Sequence, residues 1–291
     1  MDRRKIVFGA GSLLGAGALA SLFPWKGGDM ENKRAPVLFI GHGSPMNTIE
    51  DNAFTRTMRS LGEKLEKPRA ILVVSAHWLT AGTYVTSTEK PKMIYDMYGF
   101  PEALYQFKYP APGSPEFAKL VGESVAKPRV KNDDGAWGLD HGTYSVLASL
   151  FPRADVPVLQ LSIDMSEPPQ FHYELGRELK KLREKGVLIV GSGNIVHNLR
   201  RMDWHKEGGF DWAVEFDSWT KKHLESGNYE PLYSEFSKSE AGRLSVPTPD
   251  HYYPLLYVLG ASDARDELKF EYESLEMGAI SMRTLSLGRS A

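Results

Sequence analysis

Two hydrophobic patterns alternate along the chain. Residues 36–40, 70–75 and 187–191 are short, almost wholly apolar runs rich in Val, Ile and Leu, and 158–163 is a similar run that carries Gln160 and Ser162. They are too short for buried helices and read as strands covered on both faces. Between and after them, apolar residues recur at helical spacing. Residues 52–65 place Phe54, Met58, Leu61 and Leu65 on one face, and 170–184, 211–226 and 252–259 are further helices. Ser114-Pro115-Glu116 combines an N-cap residue, a proline in the first turn and an acid beside it, which starts a helix running to about residue 125. A late strand is expected over 280–287. Strand, helix, strand is the order that builds a mostly parallel sheet flanked by helices. The expected fold is therefore α/β: a single domain over 35–291 with a central, mostly parallel mixed sheet, its site at the carboxyl edge of the strands.

The first 34 residues break the pattern. Arg3-Arg4-Lys5 precedes a Gly/Ala-rich apolar stretch over 6–23, and Pro24-Trp25-Lys26-Gly27-Gly28 opens a polar linker. This resembles a twin-arginine export signal, with Ala18-Leu19-Ala20 as cleavage site, and implies export to the periplasm. The alternative is an uncleaved membrane anchor, since roughly 20 apolar residues span a bilayer. A cytoplasmic location is the other reading. From residue 35 onward no linker or repeat divides the chain.

Composition narrows the chemistry. A net charge of -2 over 291 residues offers no basic patch for a polyanion, so no nucleic-acid partner is expected. The chain has no cysteine, which excludes zinc fingers, iron-sulfur clusters and disulfides; any metal must be held by nitrogen and oxygen. Four histidines, His42, His77, His197 and His251, lie where strands or Pro/Gly-rich turns end, and His141 has a similar loop setting. A lone histidine is usually just polar, but imidazoles meeting at a sheet edge suit a divalent metal with open positions. Gly41 and Gly43 free the backbone around His42, while Pro247, Pro249 and Pro254 fix it around His251. His172, His205 and His223 stand in polar, helical or solvated stretches and are assigned no role. The Gly191-Ser192-Gly193-Asn194 segment lacks the spacing of a nucleotide-binding loop and reads as a tight turn that lets His197 face the pocket. Ser44 and Ser75 sit near histidines, but no nucleophile elbow accompanies them. The aromatic segment 95–105 reads as a loop able to wall a pocket for a planar substrate.

Seven segments together carry a family resemblance: Gly41-His42-Gly43-Ser44-Pro45-Met46-Asn47, Val73-Val74-Ser75-Ala76-His77-Trp78, Gly99-Phe100-Pro101, residues 109–114, Trp137-Gly138-Leu139-Asp140-His141-Gly142, residues 192–199 and residues 247–256. In this order they resemble the 4,5-DOPA extradiol dioxygenases of the class III, protocatechuate 4,5-dioxygenase beta-subunit type. The resemblance spans nearly all of the chain from residue 35. It implies metal-dependent opening of a catechol ring by O2 to a semialdehyde, with catechol and O2 as the partners. It implies His42, His77 and His251 as metal ligands, His251 taking the place where more distant class III enzymes use glutamate. His197 then corresponds to the acid/base histidine, its nearness leaving it open as a fourth ligand, and His141 to a second pocket histidine. One divalent ion is implied, Fe(II) for activity or Zn(II) as bound. Relatives of this group are usually cytoplasmic, so the export leader is a departure. A zinc hydrolase built on the same imidazoles is the rival enzyme, and a metal-carrier protein the non-enzymatic one.

Overall fold

The computed structural model describes residues 34–127 and 129–288, so the readings made on the leader lie outside the described residues. Among the described residues, no helix is long and apolar enough to cross a membrane. The elements run β1 (Val37–Gly41), α1 (Ala53–Lys64), β2 (Ala70–Thr80), β3 (Tyr84–Thr86), α2 (Glu102–Gln106), α3 (Pro115–Ser124), β4 (Lys131–Asp133), α4 (His141–Leu150) and β5 (Val158–Asp164). They continue with α5 (Pro169–Leu179), β6 (Val187–Gly193), α6 (Asp211–Ser226), α7 (Glu230–Ser234), α8 (Glu240–Ser245), α9 (Tyr253–Ala261), β7 (Glu267–Tyr272), β8 (Leu275–Glu276), β9 (Ile280–Ser281) and β10 (Thr284–Gly288).

Eight strands form one sheet in the order β4-β3-β5-β2-β6-β1-β10-β7. Its centre, β5-β2-β6-β1, is parallel, and antiparallel pairings β3/β5, β1/β10 and β10/β7 extend it on either side. The expected mostly parallel α/β sheet is what forms. Alternation along β1 explains its two layers. Val37 and Phe39 face a core that includes Leu255 and Val258 of α9, while Leu38 and Ile40 face Phe54 and Met58 of α1 and Leu147 of α4. Because both faces are covered, strand sequences are continuously apolar rather than alternating. Asn52 starts α1 with a reciprocal capping box to Thr55, and Ser114 caps α3 through the Phe117 N–H.

Several boundaries differ from the sequence reading. β2 runs on through Thr80, so His77 lies within the strand rather than after it. The pairing with β5 is irregular there: Val74 opposes Leu161, but Leu79 already opposes Ile163. The extra residues between them form the bulge that re-aims His77. Gly191 and Gly193 lie inside β6 and make no turn; a Cβ on Gly193 would come within 2.2 Å of the His251 carbonyl oxygen, so the missing side chain lets the His251 segment lie against the strand. The expected strand over 280–287 is two strands, β9 and β10. The helix expected over 170–184 ends as α5 at Leu179 and continues as a 3-10 turn over Lys180–Lys185.

At the amino edge of β1, the buried Arg183 donates to both Asp266 oxygens, at 2.6 and 2.9 Å, and to the Ala35 carbonyl at 2.7 Å. Neither side chain of the Arg183–Asp266 pair is exposed, so pairing is the condition of its burial. The opposite, carboxyl edge of the parallel strands is where His42 and His77 emerge.

Candidate metal centre

Five histidines from five separate segments meet at that edge. His42 follows β1, His77 sits in the β2 bulge, His141 opens α4, His197 lies beyond β6 and His251 precedes α9. The ring centroids of His42, His77 and His251 form a nearly equilateral triangle with sides of 5.1, 5.2 and 5.0 Å. His42 Nε2 and His77 Nε2 are 3.2 Å apart. His141 packs its ring on His77 with centroids 3.9 Å apart and stands 5.8 Å from His42. His197 stacks flat on His251 at 3.5 Å with a 5° interplanar angle. By distance between ligating atoms, the group that forms among the described residues is His42, His77 and His141, all within 4.8 Å of one another, without His251. Ring placement separates the two sets. Imidazoles bonded through Nε2 to one ion at about 2.0–2.1 Å keep their centroids roughly 5 Å apart, which the 42/77/251 triangle satisfies and the 3.9 Å contact of His141 with His77 does not.

The outer nitrogens have partners that hold the rings in orientation. His42 Nδ1 lies 3.0 Å from Ser192 Oγ, and His251 Nδ1 lies 2.5 Å from Asp250 Oδ2. Ser192 in turn donates to the Gly142 carbonyl at 2.5 Å. Asp96 serves two rings: Oδ2 is 3.5 Å from His77 Nδ1, and Oδ1 is 2.9 Å from His141 Nδ1, although out of line for a well-formed hydrogen bond. Such outer partners set ring orientation and raise ligand basicity.

Electrostatics keep four of the five rings neutral. Burial, and then the neighbouring imidazoles, push His42 and His251 well below the ordinary histidine value. Burial likewise lowers His77 to about 3 and His197 to about 4. Near neutral pH each of these rings keeps one protonated and one lone-pair nitrogen, the state a metal requires. Three neutral nitrogen donors fit a divalent ion, which in a catalytic site keeps further positions open.

The sequence family described as the catalytic LigB subunit of aromatic ring-opening dioxygenase matches residues 36–283. This chain belongs to that family. It is 49% identical over 263 residues to the Escherichia coli (strain K12) protein named 4,5-DOPA dioxygenase extradiol, covering 89% of this chain and 97% of the relative. The Beta vulgaris protein of the same name is 39% identical over 256 residues, covering 86% and 96%. A solved structure of an uncharacterised protein from Escherichia coli K12 aligns with a TM-score of 0.77 at 45% identity, over 88% of this chain and 100% of that one. The chain is an extradiol ring-cleavage dioxygenase, as its motifs implied.

Within this dioxygenase the expected histidines converge, and several partners were not anticipated. Asp96, Asp250 and Ser192 hold rings in place, yet only Asp250 carried a local signal, as the residue directly before a histidine. The same dipeptide at Asp140-His141 works differently. Asp140 is wholly buried and caps α4, accepting from the Thr143 N–H at 3.0 Å, Ser75 Oγ at 2.8 Å and Gln160 Nε2 at 2.6 Å. Burial raises its carboxyl despite those donors.

The serines near histidines prove structural. Ser75 donates to Asp140, and Ser44 caps the 3-10 turn Pro45–Thr48. His172, assigned to a polar stretch, is fully buried in α5 with Nδ1 2.9 Å from the Tyr257 hydroxyl. Its environment differs from the expectation, because its face of α5 turns toward α9. The aromatic segment 95–105 borders the site through Asp96 and includes the short helix α2, where a loop alone was expected.

Proposed function

We propose that this chain opens the ring of a DOPA-like catechol with O2, beside one hydroxyl, on a divalent ion held by His42, His77 and His251. The observation that carries the reading is the ring triangle with sides of 5.1, 5.2 and 5.0 Å, the spacing of three imidazoles that share one centre. The relatives' name supports a DOPA-like substrate. Bound there, Fe(II) would supply the Lewis acidity and redox capacity that a singlet catechol and triplet O2 need to react. Zn(II) suits the same donors and is the ion expected in some preparations.

The chain's own groups do the rest. Three neutral imidazoles leave the ion's positive charge undiminished, which favours binding of a catechol as its anion. His197, neutral near pH 7, takes the remaining hydroxyl proton and returns it later in the reaction. His141, the other ring outside the triangle, faces the substrate or tunes His197. Twin-arginine export, supported by Arg3-Arg4-Lys5 and the apolar stretch behind it, would carry the enzyme already folded to the periplasm.

The test is anaerobic Fe(II) loading followed by oxygen-electrode assays over a catechol panel that includes DOPA. Uptake of O2 with appearance of a yellow ring-opened semialdehyde is expected. Tight metal binding without O2 uptake on any catechol, or anaerobic turnover of an ester or amide instead, would overturn it.

A further inference from the structure

Asp96 touches the two histidines that pack on each other, and they belong to different classes: His77 lies in the triangle, His141 outside it. The position of Asp96 is well determined. Residues 92–94 run beside Leu139, whose N–H donates to the Lys92 carbonyl at 2.8 Å and whose carbonyl accepts from the Ile94 N–H at 2.8 Å. This backbone pairing sets Asp96 against the start of α4. There its Oδ1 accepts the His141 backbone N–H at 3.0 Å and lies 2.9 Å from His141 Nδ1, while Oδ2 lies 3.5 Å from His77 Nδ1. The first N–H groups of a helix have no intrahelical acceptor and favour an anion, so α4 itself helps to hold the carboxylate.

We propose that Asp96 is a positioning residue for ring cleavage, one carboxylate that fixes His141 with its Nε2 toward the substrate space while steadying the metal ligand His77. This rests on the proposed function for the identity of the reaction, but not for the geometry. Asp96 stands on the Nδ1 side of both rings, 2.9 Å from His141 Nδ1, though out of line for a well-formed hydrogen bond, and 3.5 Å from His77 Nδ1, and a carboxylate there favours the tautomer with the proton on Nδ1 and the lone pair on Nε2. The 93–101 segment that carries Asp96 is also tied to the aromatic wall. The Tyr95 hydroxyl donates to the Phe107 carbonyl at 2.7 Å, and the Tyr144 hydroxyl lies 3.4 Å from Met97 Sδ. A substrate ring pressed against that wall bears on the element that aims His141.

The test compares Asp96→Asn and Asp96→Ala with the parent protein. Asparagine keeps an acceptor for the His141 backbone N–H, so α4 and the thermal midpoint should survive. In zinc-loaded protein, long-range proton-nitrogen NMR should find His141 as a single Nδ1–H tautomer in the parent and as mixed tautomers in both variants. With saturating Fe(II), kcat should fall by roughly 10–100-fold in Asp96→Asn while KM changes little. Parent-like kcat, an unchanged His141 tautomer, or full recovery of kcat by added Fe(II) alone would each overturn the proposal. A parent inactive on every catechol would sink the proposed function instead, and the tautomer measurement would still decide the role of Asp96.

Discussion

Replacing Gly142 by alanine is the sharpest probe of how the site is packed. Gly142 is the second residue of α4, and a Cβ there would stand 2.6 Å from Ser75 Oγ and 2.8 Å from His77 Cδ2, where ordinary contact begins at 3.4 Å. Neither neighbour can give freely. Ser75 is committed to Asp140 at 2.8 Å, and the Gly142 carbonyl holds Ser192 at 2.5 Å, which in turn faces His42. The His77 ring must therefore retreat by about 0.6 Å, or α4 must shift and take Ser192 with it. Overpacking of this kind costs about 1–3 kcal/mol, against at most about 1 kcal/mol gained from alanine's helix propensity. The net expectation is a loss of roughly 0–2 kcal/mol in stability, and a larger effect on metal affinity, roughly 10–100-fold, because the displaced atoms aim two rings of the triangle. Gly122 in α3 is the control, since nothing lies within 4 Å of a Cβ there, and Gly122→Ala should stabilise by about 0.5–1 kcal/mol. The assays are urea unfolding and zinc competition against a chelator. A Gly142→Ala protein that binds zinc as tightly as the parent and gains stability as Gly122→Ala does would refute the packing argument.

His197→Ala should keep its metal while ring cleavage falls by roughly 100-fold or more, measured by metal analysis and oxygen uptake; complete loss of metal would instead make His197 a ligand. Asp250→Asn should weaken zinc binding by roughly 10–100-fold in chelator competition, because the 2.5 Å contact with His251 Nδ1 loses its charge; unchanged affinity would argue against His251 as a ligand. Acid should destabilise the fold through buried His172, which burial lowers from 6.5 to about 4. The unfolded chain takes up this proton below pH 6.5 while the folded chain resists until about pH 4, so the contribution is full above 6.5 and is lost as pH falls through that window. It amounts to about 3 kcal/mol, and His172→Gln should show a shallower fall in urea midpoint over the same range.

What the sequence disclosed follows from burial. β1, β5 and β6 are covered on both faces and so appear as short runs dominated by Val, Leu and Ile, whereas β3, β4 and β7 flank the parallel centre, are short or partly exposed, and carry no comparable pattern. The end of β2 was hidden because His77 and the residues around it serve the site and interrupt the apolar run. His42, His141 and His251 were legible through their Gly- or Pro-rich surroundings, and His77 through its place at the end of an apolar run. Asp96 was not, since it is 45 residues from His141 and only the pairing of residues 92–94 with Leu139 brings the two together. The burial of His172 was likewise invisible, because polar neighbours such as Glu174 occupy the outer side of its helix.

The buried Arg183–Asp266 pair at the amino edge has a counterpart at the other end of the sheet, and the two fastenings differ in kind. One clasp is made by two side chains of the chain itself, while the other would be a small ion that chelators or protons can withdraw. Stripping the ion should leave the molecule hinged on Ala35 and Arg183 and loosened at the opposite pole. Amide exchange would then quicken first around residues 42, 77 and 251, so that wear in this enzyme begins at its working end.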